Sequence, residues 1–155
     1  MSDLTEGAAA PDFDLPATGG RRVSKAGFAG RPFVLYFYPK ANTPGCTTEA
    51  CAFQEALPAL GASGLDVVGV SPDAMKPIET FAAKYSLTFP LASDAGQTAA
   101  AYGTWVEKSM YGRKYMGIER STFLVDGKGV VAKAWHKVKV EGHAAEVKAA
   151  AAGLK

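Results

Sequence analysis

Two cysteines, Cys46 and Cys51, are the only thiols among the 155 residues, and they stand five positions apart in GCTTEAC. A thiol can serve as a nucleophile, a metal ligand or one half of a disulfide. Cys46 follows a turn rich in proline, asparagine and glycine and begins a helical pattern. Free backbone N–H groups and the helix dipole at such a position favour a negatively charged thiolate. The alternative for Cys46 is a buried, inert, small hydrophobic residue, a common environment for a free cysteine.

The elements around Cys46 are indicated by hydrophobic periodicity. An apolar run, VLYFY, predicts a buried strand over residues 32–38. The helix after the turn carries one apolar stripe with 4-3-4-3 spacing, formed by Cys46, Ala50, Phe53, Leu57 and Leu60. Cys51 lies about 140° around the helix from Cys46, since each residue turns by about 100°. We therefore expect Cys46 to point inward and Cys51 to lie away from the stripe.

The rest of the chain alternates between strand and helix patterns. We predict a β-hairpin over 11–24, strands at 65–70, 89–92, 120–125 and 130–136, and an irregular, basic and aromatic segment at 103–117. We also predict a helix that follows a turn at 71–73 and ends near 85, a short helix that ends at 101, and a helix at 143–154. Asp94 is the expected cap of the short helix. The pattern predicts one α/β domain over residues 1–155, with a central mixed β-sheet flanked by helices and an N-terminal β-hairpin.

Composition excludes several classes of function. The hydrophobic fraction of 48% and charged fraction of 21% are those of an ordinary soluble globular protein. A net charge of +2 provides no polycationic face for nucleic acid. No apolar run approaches the ~18 residues of a membrane span. The first residues, MSDLTEGAAAPDF, lack the basic start and apolar core of a signal peptide, so we expect a cytoplasmic protein.

A larger pattern surrounds Cys46. Pro39, Thr43 and Cys46 lie in PKANTPGC, and Arg120 lies in IERSTFLVD. This pattern resembles the peroxiredoxins, whose signature is Pro-x-x-x-Thr-x-x-Cys with a distant arginine on a strand. The segments APDF, TPGCTTEAC, KSMYGRKYMGIERSTFLVD and WHKVKVEGHAAEV extend the resemblance to the bacterioferritin-comigratory-protein, or PrxQ, branch over nearly the whole chain. The resemblance implies a thioredoxin-like fold.

The resemblance also implies a reaction. Cys46 would be the peroxidatic nucleophile, which attacks a hydroperoxide and becomes a sulfenic acid. Thr43 would place its hydroxyl on the peroxide oxygens, and Arg120 would donate hydrogen bonds to the peroxide and the thiolate. Pro39 would shield the pocket. The family needs no metal or organic cofactor for this chemistry.

Cys51 would be the resolving thiol, which forms an intramolecular disulfide with Cys46 that thioredoxin or a glutaredoxin-like dithiol reduces. In an ideal helix, residues five apart have Cα atoms about 8.7 Å apart, whereas a disulfide needs less than ~7 Å. We therefore expect the segment from Cys46 to about Phe53 to unwind during resolution. The resemblance favours a monomer, since this cysteine pair needs no second subunit.

Each residue also has a simpler interpretation. Pro39 could end a strand, Thr43 could cap a helix, Arg120 could pair with a surface carboxylate, and Cys51 could be a partly exposed bystander. We expect Glu49 to be a solvated helix-start carboxylate, with orientation of the arginine as the alternative. For the set Tyr111, Arg113, Tyr115 and Met116, lining of the pocket and ordinary packing of a loop on the sheet both remain open. His136 and His143 are expected at the surface or at a helix start, not as metal ligands.

Three other functions compete with the peroxidase. A thioredoxin-type oxidoreductase would share the fold, but it would need a Cys-x-x-Cys motif that is missing. A zinc site needs about four ligands, and two cysteines with two distant histidines do not match a known spacing. A peroxide sensor or redox-switched chaperone could use the same cysteine pair without catalytic turnover.

Overall fold

A computed structural model describes residues 5–154. Nine strands in this range are β1 (Asp14–Ala17), β2 (Arg21–Ser24), β3 (Phe33–Phe37), β4 (Asp66–Ser71), β5 (Leu91–Ser93), β6 (Trp105–Met110), β7 (Arg113–Ile118), β8 (Ser121–Val125) and β9 (Val131–Trp135). Its α-helices are α1 (Pro44–Ala62), α2 (Met75–Lys84), α3 (Gln97–Ala101) and α4 (His143–Ala152). None of these helices is long and apolar enough to cross a membrane. Residues 1–4, part of the segment considered for a signal peptide, lie outside the described range.

Seven strands form one mixed sheet in the order β2-β1-β5-β4-β3-β8-β9. Strands β3, β4 and β5 run parallel to their neighbours in this group, whereas β8 and β9 join the sheet in antiparallel fashion. Strands β1 and β2 form the N-terminal hairpin. The mixed sheet, both predicted hairpins and the C-terminal helix are therefore confirmed.

Strand β3 is buried on both faces, as expected for an uninterrupted apolar run at the centre of a sheet. Its side chains alternate between two cores. One core contains Phe33, Leu35 and Phe37 and is covered by α3 and the N-terminal hairpin. The other contains Val34 and Tyr36 and is covered by α1, α2 and α4. The helix that carries the two cysteines thus rests directly on the central strand.

The buried face of α1 largely follows the predicted stripe. Cys46, Ala50, Phe53 and Leu60 are buried, but Leu57 is only half-buried and Ala56 is buried instead. The expectation for Glu49 is wrong, because this side chain is also buried, with 1% of its surface exposed. Glu49 stands three residues after Cys46, which places both side chains on the same face of the helix.

The segment 103–117 is not irregular, as we expected, because most of it forms a second, two-stranded sheet from β6 and β7. A two-residue turn, Tyr111-Gly112, joins the strands. Tyr115 and Met116 lie on this hairpin with 44% and 49% of their surfaces exposed, and Tyr111 is 97% exposed. These residues therefore belong to an exposed hairpin and not to an irregular loop. Lining of the active-site pocket by these residues or by Arg113 stays a prediction.

Asp94 caps the short helix α3 as predicted, although the helix begins at Gln97. One carboxylate oxygen of Asp94 accepts a hydrogen bond from the Thr98 amide at 3.1 Å, and the other accepts from the Ala99 amide at 2.9 Å. The buried carboxylate thereby satisfies two amides at the start of the helix that have no intrahelical acceptor.

Gly69 sits where β4 meets its two neighbours, and it provides a test of core packing. A Cβ atom at Gly69 would lie 2.7 Å from Cδ2 of Leu91 and 2.8 Å from Cζ of Tyr36. We expect Gly69→Ala to lower the free energy of unfolding by about 1–3 kcal/mol, because the surrounding core must shift. Urea denaturation measures this change. Gly61→Ala in α1 is the matched control, since its Cβ would meet nothing within 4 Å, and it should be neutral or stabilising. Equal stabilities for the two variants would contradict this account of Gly69.

Candidate active site

Cys46 occupies the first turn of α1, directly above the central strand. Thr43 stands at the N-cap position, and the first helical hydrogen bond runs from the Thr47 amide to the Thr43 carbonyl at 2.8 Å. The amides of Gly45 and Cys46 therefore have no acceptor within the helix. The Cys46 side chain is 2% exposed. Its thiol is thus held beside unused N–H donors in a place with little water.

Arg120 reaches Cys46 from the connection between β7 and β8. Its Nη2 atom lies 3.3 Å from Sγ of Cys46. Strand β8 begins one residue later, where Ser121 pairs with Phe37 at the end of β3. The Arg120 carbonyl accepts a hydrogen bond from the Val138 amide at 2.9 Å, which fixes the backbone. The antiparallel pairing of β8 with β3 therefore brings the guanidinium to the thiol.

Gly45 provides the space for this contact. A Cβ atom at Gly45 would lie 3.3 Å from Nη2 of Arg120, closer than side-chain atoms normally approach one another. A larger residue at this position would push the guanidinium away from Cys46.

Glu49 holds the other arm of the same guanidinium. Nη1 of Arg120 donates a hydrogen bond to Oε1 of Glu49 at 2.5 Å, and the two side chains are 16% and 1% exposed. The second carboxylate oxygen, Oε2, has no hydrogen-bond partner within residues 5–154, and the same is true of the buried hydroxyl of Tyr36. One guanidinium thus joins the thiol to a deeply buried carboxyl group.

Burial and pairing act in opposite directions on this carboxyl group. Burial raises the pKa of Glu49 to about 7, while the charge of Arg120 and its hydrogen bond oppose the rise. Burial alone would lower the pKa of Arg120, but Glu49 and Cys46 together raise it. The short Nη1–Oε1 contact is that of a charge-assisted hydrogen bond. We therefore interpret Glu49 as ionised above neutral pH and protonated in mild acid.

Thr43 and Pro39 belong to the loop between β3 and α1. The Thr43 hydroxyl donates to the Lys40 carbonyl at 2.8 Å and makes no capping bond to the helix, although Thr43 occupies the N-cap position. Pro39 is half-buried and follows the buried Tyr38. Asp73 anchors the loop, because its Oδ2 accepts a hydrogen bond from the Ala41 amide at 2.6 Å. Thr43 directly precedes the first turn of α1, which contains Cys46.

Cys51 lies on the same unbroken helix but outside its buried stripe. It is half-buried, and both cysteines are free thiols. The separation predicted from helical geometry is therefore maintained in this conformation, and the helix keeps the two sulfurs on different faces.

His143 lies at the start of α4, as expected, but it is buried and not at the surface. Its Nε2 atom is 2.7 Å from the hydroxyl of Thr122 on β8. Burial, with a smaller effect of Arg120, lowers the pKa of His143 to about 4, so the imidazole is neutral near pH 7. His136 is half-buried, and its ring packs edge-on against Phe123. Within residues 5–154, no three His, Cys, Asp or Glu side chains are grouped to hold a metal ion.

The buried Glu49 predicts a pH-dependent contribution to stability. Its pKa is about 7 in the folded protein and 4.5 in its unperturbed state, so the folded form binds the proton more tightly. The contribution is present below pH 4.5 and is lost as the pH rises toward 7. We expect the free energy of unfolding of the wild type, measured with urea, to fall relative to that of Glu49→Gln by on the order of 3 kcal/mol between pH 5 and pH 8. Parallel pH profiles for the two proteins would show that Glu49 does not titrate in this range.

The sequence of this chain is similar to that of several bacterial proteins. The model of the AhpC/TSA family matches residues 7–134. The chain is 47% identical over 142 residues to a putative peroxiredoxin bcp of Coxiella burnetii, covering 91% of this chain and 94% of that one. It is 45% identical over 153 residues to peroxiredoxin Bcp of Xanthomonas campestris, covering 97% and 96%.

The fold is likewise similar to that of solved structures. Peroxiredoxin Q of Xanthomonas campestris superposes with a TM-score of 0.89 at 44% identity, covering 97% of this chain and 96% of that one. In two other structures of that protein, single cysteine-to-serine substitutions lie much further apart in the sequence than Cys46 and Cys51 do. The similarity in sequence and in fold covers nearly the whole chain, including the loop, helix and arginine described above. The chain therefore belongs to the AhpC/TSA family, and within it to the Bcp, or PrxQ, peroxiredoxins.

Proposed function

We propose that this peroxiredoxin reduces hydroperoxides with Cys46 as the peroxidatic thiol and Cys51 as the resolving thiol. The observation that carries the proposal is the contact of 3.3 Å between Sγ of Cys46 and Nη2 of Arg120 at the start of α1. A thiolate is stabilised there by a partly buried cation and by backbone N–H groups that have no acceptor within the helix. The site thus has the charge distribution that a thiol nucleophile requires.

In the first step, the Cys46 thiolate attacks one oxygen of the hydroperoxide and the O–O bond breaks. An S–O bond forms, Cys46 becomes a sulfenic acid, and the other oxygen leaves as alkoxide or hydroxide and takes up a proton. Arg120 stabilises the negative charge as it moves from sulfur to the departing oxygen. The hydroxyl of Thr43 and the free amides of Gly45 and Cys46 complete the set of polar groups around the peroxide.

Glu49 and Pro39 support this set without reacting. Glu49 fixes the orientation of Arg120 by a hydrogen bond of 2.5 Å, so that the second arm of the guanidinium points at the thiol. Pro39 is half-buried beside the end of β3 and restricts the entry of water to the loop. We assign both residues positioning roles.

In the second step, the Cys51 thiol attacks the sulfenic acid, and a disulfide and one water form. The intact helix prevents this reaction, because residues five apart in a helix are about 8.7 Å apart at Cα. The segment from Cys46 to about Phe53 must therefore unwind.

In the third step, a dithiol reduces the disulfide and is itself oxidised, which returns both cysteines to thiols. We propose thioredoxin, or a glutaredoxin-like protein, as this reductant. A structural study of the Xanthomonas campestris bacterioferritin comigratory protein concerns its alkyl peroxide reduction activity, and we propose organic hydroperoxides and hydrogen peroxide as substrates here. We further propose a cytoplasmic monomer, because two cysteines are too few for a disulfide scaffold of the secreted type and a cysteine pair on one helix needs no second subunit for resolution.

The two cysteines should behave differently when they are replaced. Cys46→Ser should abolish peroxide consumption, because no nucleophile remains. Cys51→Ser should still form one sulfenic acid per molecule, trapped by dimedone and detected by mass, but should not be recycled by thioredoxin. Coupled oxidation of NADPH by thioredoxin reductase measures the turnover. Full activity of the Cys46 variant would refute the assignment, and one stoichiometric oxidation of the wild type would favour a peroxide sensor.

Unwinding of α1 should be visible in the oxidised protein. We expect a loss of helical circular dichroism and faster amide hydrogen exchange over residues 46–53 after disulfide formation, both reversed by reduction. Exchange in α2 is the internal control and should not change with the redox state. Equal exchange over residues 46–53 in both states would exclude the unwinding step.

A further inference from the structure

The hairpin formed by β6 and β7 lies outside the main sheet and exposes an unusual surface. The large hydrophobic side chains exposed most strongly within residues 5–154 all belong to it: Met110 (56%), Tyr111 (97%), Tyr115 (44%) and Met116 (49%). Their concentration on one hairpin, outside both cores, indicates a contact surface.

The strand register divides this hairpin into two faces. Trp105 and Ile118 are paired, and their face turns toward the core, since Ile118 is 2% exposed and Trp105 packs on the core. The opposite face, here called the outer face, carries the pairs Val106–Gly117, Lys108–Tyr115 and Met110–Arg113. The outer face thus combines three apolar side chains with two cations and contains no carboxylate. Glu107 belongs to the inner face, together with Ser109, Lys114 and Met116.

The turn at the tip presents an aromatic ring at a conformational cost. Tyr111 has φ 53° and Gly112 has φ 77°, so both turn residues have left-handed backbones. Asparagine or glycine suits the first of these positions better than tyrosine does. The ring does not recover this cost by packing, because it is almost fully exposed. A tyrosine that adopts an unfavourable backbone conformation and gains no packing contact in return indicates a functional role for its side chain.

The hairpin stands at the end of the sheet where the reaction takes place. Strand β7 ends at Ile118, two residues before Arg120, and the Glu119 amide donates to the Thr104 carbonyl at 2.8 Å across the base of the hairpin. Strand β8 then pairs its first residue, Ser121, with Phe37, from which the loop to Cys46 departs. The base of the hairpin is therefore two residues from the arginine that contacts Cys46, which places a protein bound to the hairpin at the active-site end of the sheet.

We propose that the outer face and Tyr111 form the docking surface for the protein dithiol that reduces the Cys46–Cys51 disulfide. This inference rests on the proposed function. The partner would present an apolar surface next to its dithiol, with carboxylates that pair with Lys108 and Arg113. Tyrosine, methionine and arginine are the residues enriched in protein–protein interfaces.

The same surface fits two other occupants less well. In a symmetric dimer the outer face would meet a second copy of itself, which would place Lys108 and Arg113 near the same cations of the other chain. A lipid surface is usually bound through a broad apolar face rich in tryptophan, phenylalanine or leucine, whereas the outer face and tip contain two tyrosines, one methionine and one valine as apolar groups.

The decisive experiment compares a protein reductant with a small one. Peroxide turnover is measured with a bacterial thioredoxin, its reductase and NADPH, and separately with dithiothreitol. Tyr111→Asn removes the ring while it suits the turn, and Arg113→Glu reverses one outer charge. Each variant should raise KM for thioredoxin about tenfold and leave turnover with dithiothreitol unchanged. The rise with Arg113→Glu should diminish at high salt.

Matched controls lie on the inner face of the same hairpin. On the inner face, Met116→Ser replaces a large apolar side chain with a small polar one, and Lys114→Glu reverses one charge. KM for thioredoxin should change less than about twofold for either variant. Equal effects of inner and outer variants, or no effect of either, would overturn the proposal. So would a fall in turnover with both reductants, which would mean that the hairpin acts on the chemistry.

Two further results distinguish the docking proposal from other occupants of this surface and from failure of the proposed function. If the outer variants convert a dimer to a monomer in sedimentation, or release the protein from anionic phospholipid vesicles, while KM for thioredoxin stays the same, the surface has another occupant and the proposal is wrong. If the wild type does not consume peroxide even with dithiothreitol, the proposed function fails instead. Normal turnover with dithiothreitol therefore isolates the docking step.

Discussion

The guanidinium of Arg120 is the part on which the rest of the site depends. Its Nη2 atom contacts the thiol of Cys46, and its Nη1 atom donates a hydrogen bond to Glu49, whose surface is only 1% exposed. Loss of this cation would leave a carboxylate uncompensated inside the protein, a change that commonly costs several kcal/mol. The same side chain therefore contacts both the thiol of Cys46 and the carboxyl group of Glu49, so a substitution of Arg120 alters both contacts at once.

The topology of the sheet explains why this cation is available. Strand β3 leads to the loop and helix that carry Cys46, and its antiparallel neighbour β8 starts beside the end of β3. Any residue just before β8 is thereby delivered to the first turn of α1. The β6–β7 hairpin is inserted immediately before that point, so a surface element and the partly buried cation beside Cys46 share one short connection. Gly45 leaves room for the cation to approach the helix.

Hydrophobic periodicity predicted the main sheet, the long helix and the inward direction of Cys46, because these depend on burial. Glu49 was misjudged, since a carboxylate is normally solvated and its partner is remote in sequence. Its position three residues after Cys46, on the apolar face, was the signal that could have identified it. The β6–β7 hairpin was missed because Tyr111-Gly112 is not a usual turn pair and the strands are mostly exposed. Contacts between polar groups that are far apart in the sequence are therefore the features that are hardest to predict from the sequence alone.

The distance along the chain between Cys46 and Arg120 has a consequence for the newly made protein. Seventy-four positions separate the two residues, so Cys46 leaves the ribosome well before its cation exists. At ~5–20 residues per second, this interval lasts several seconds. During that time the cysteine is an unassisted thiol on an incomplete chain. If the contact with Arg120 activates the thiol as proposed, full reactivity toward peroxide arises only when β8 pairs with β3, and an unfinished chain reacts more slowly than the folded enzyme.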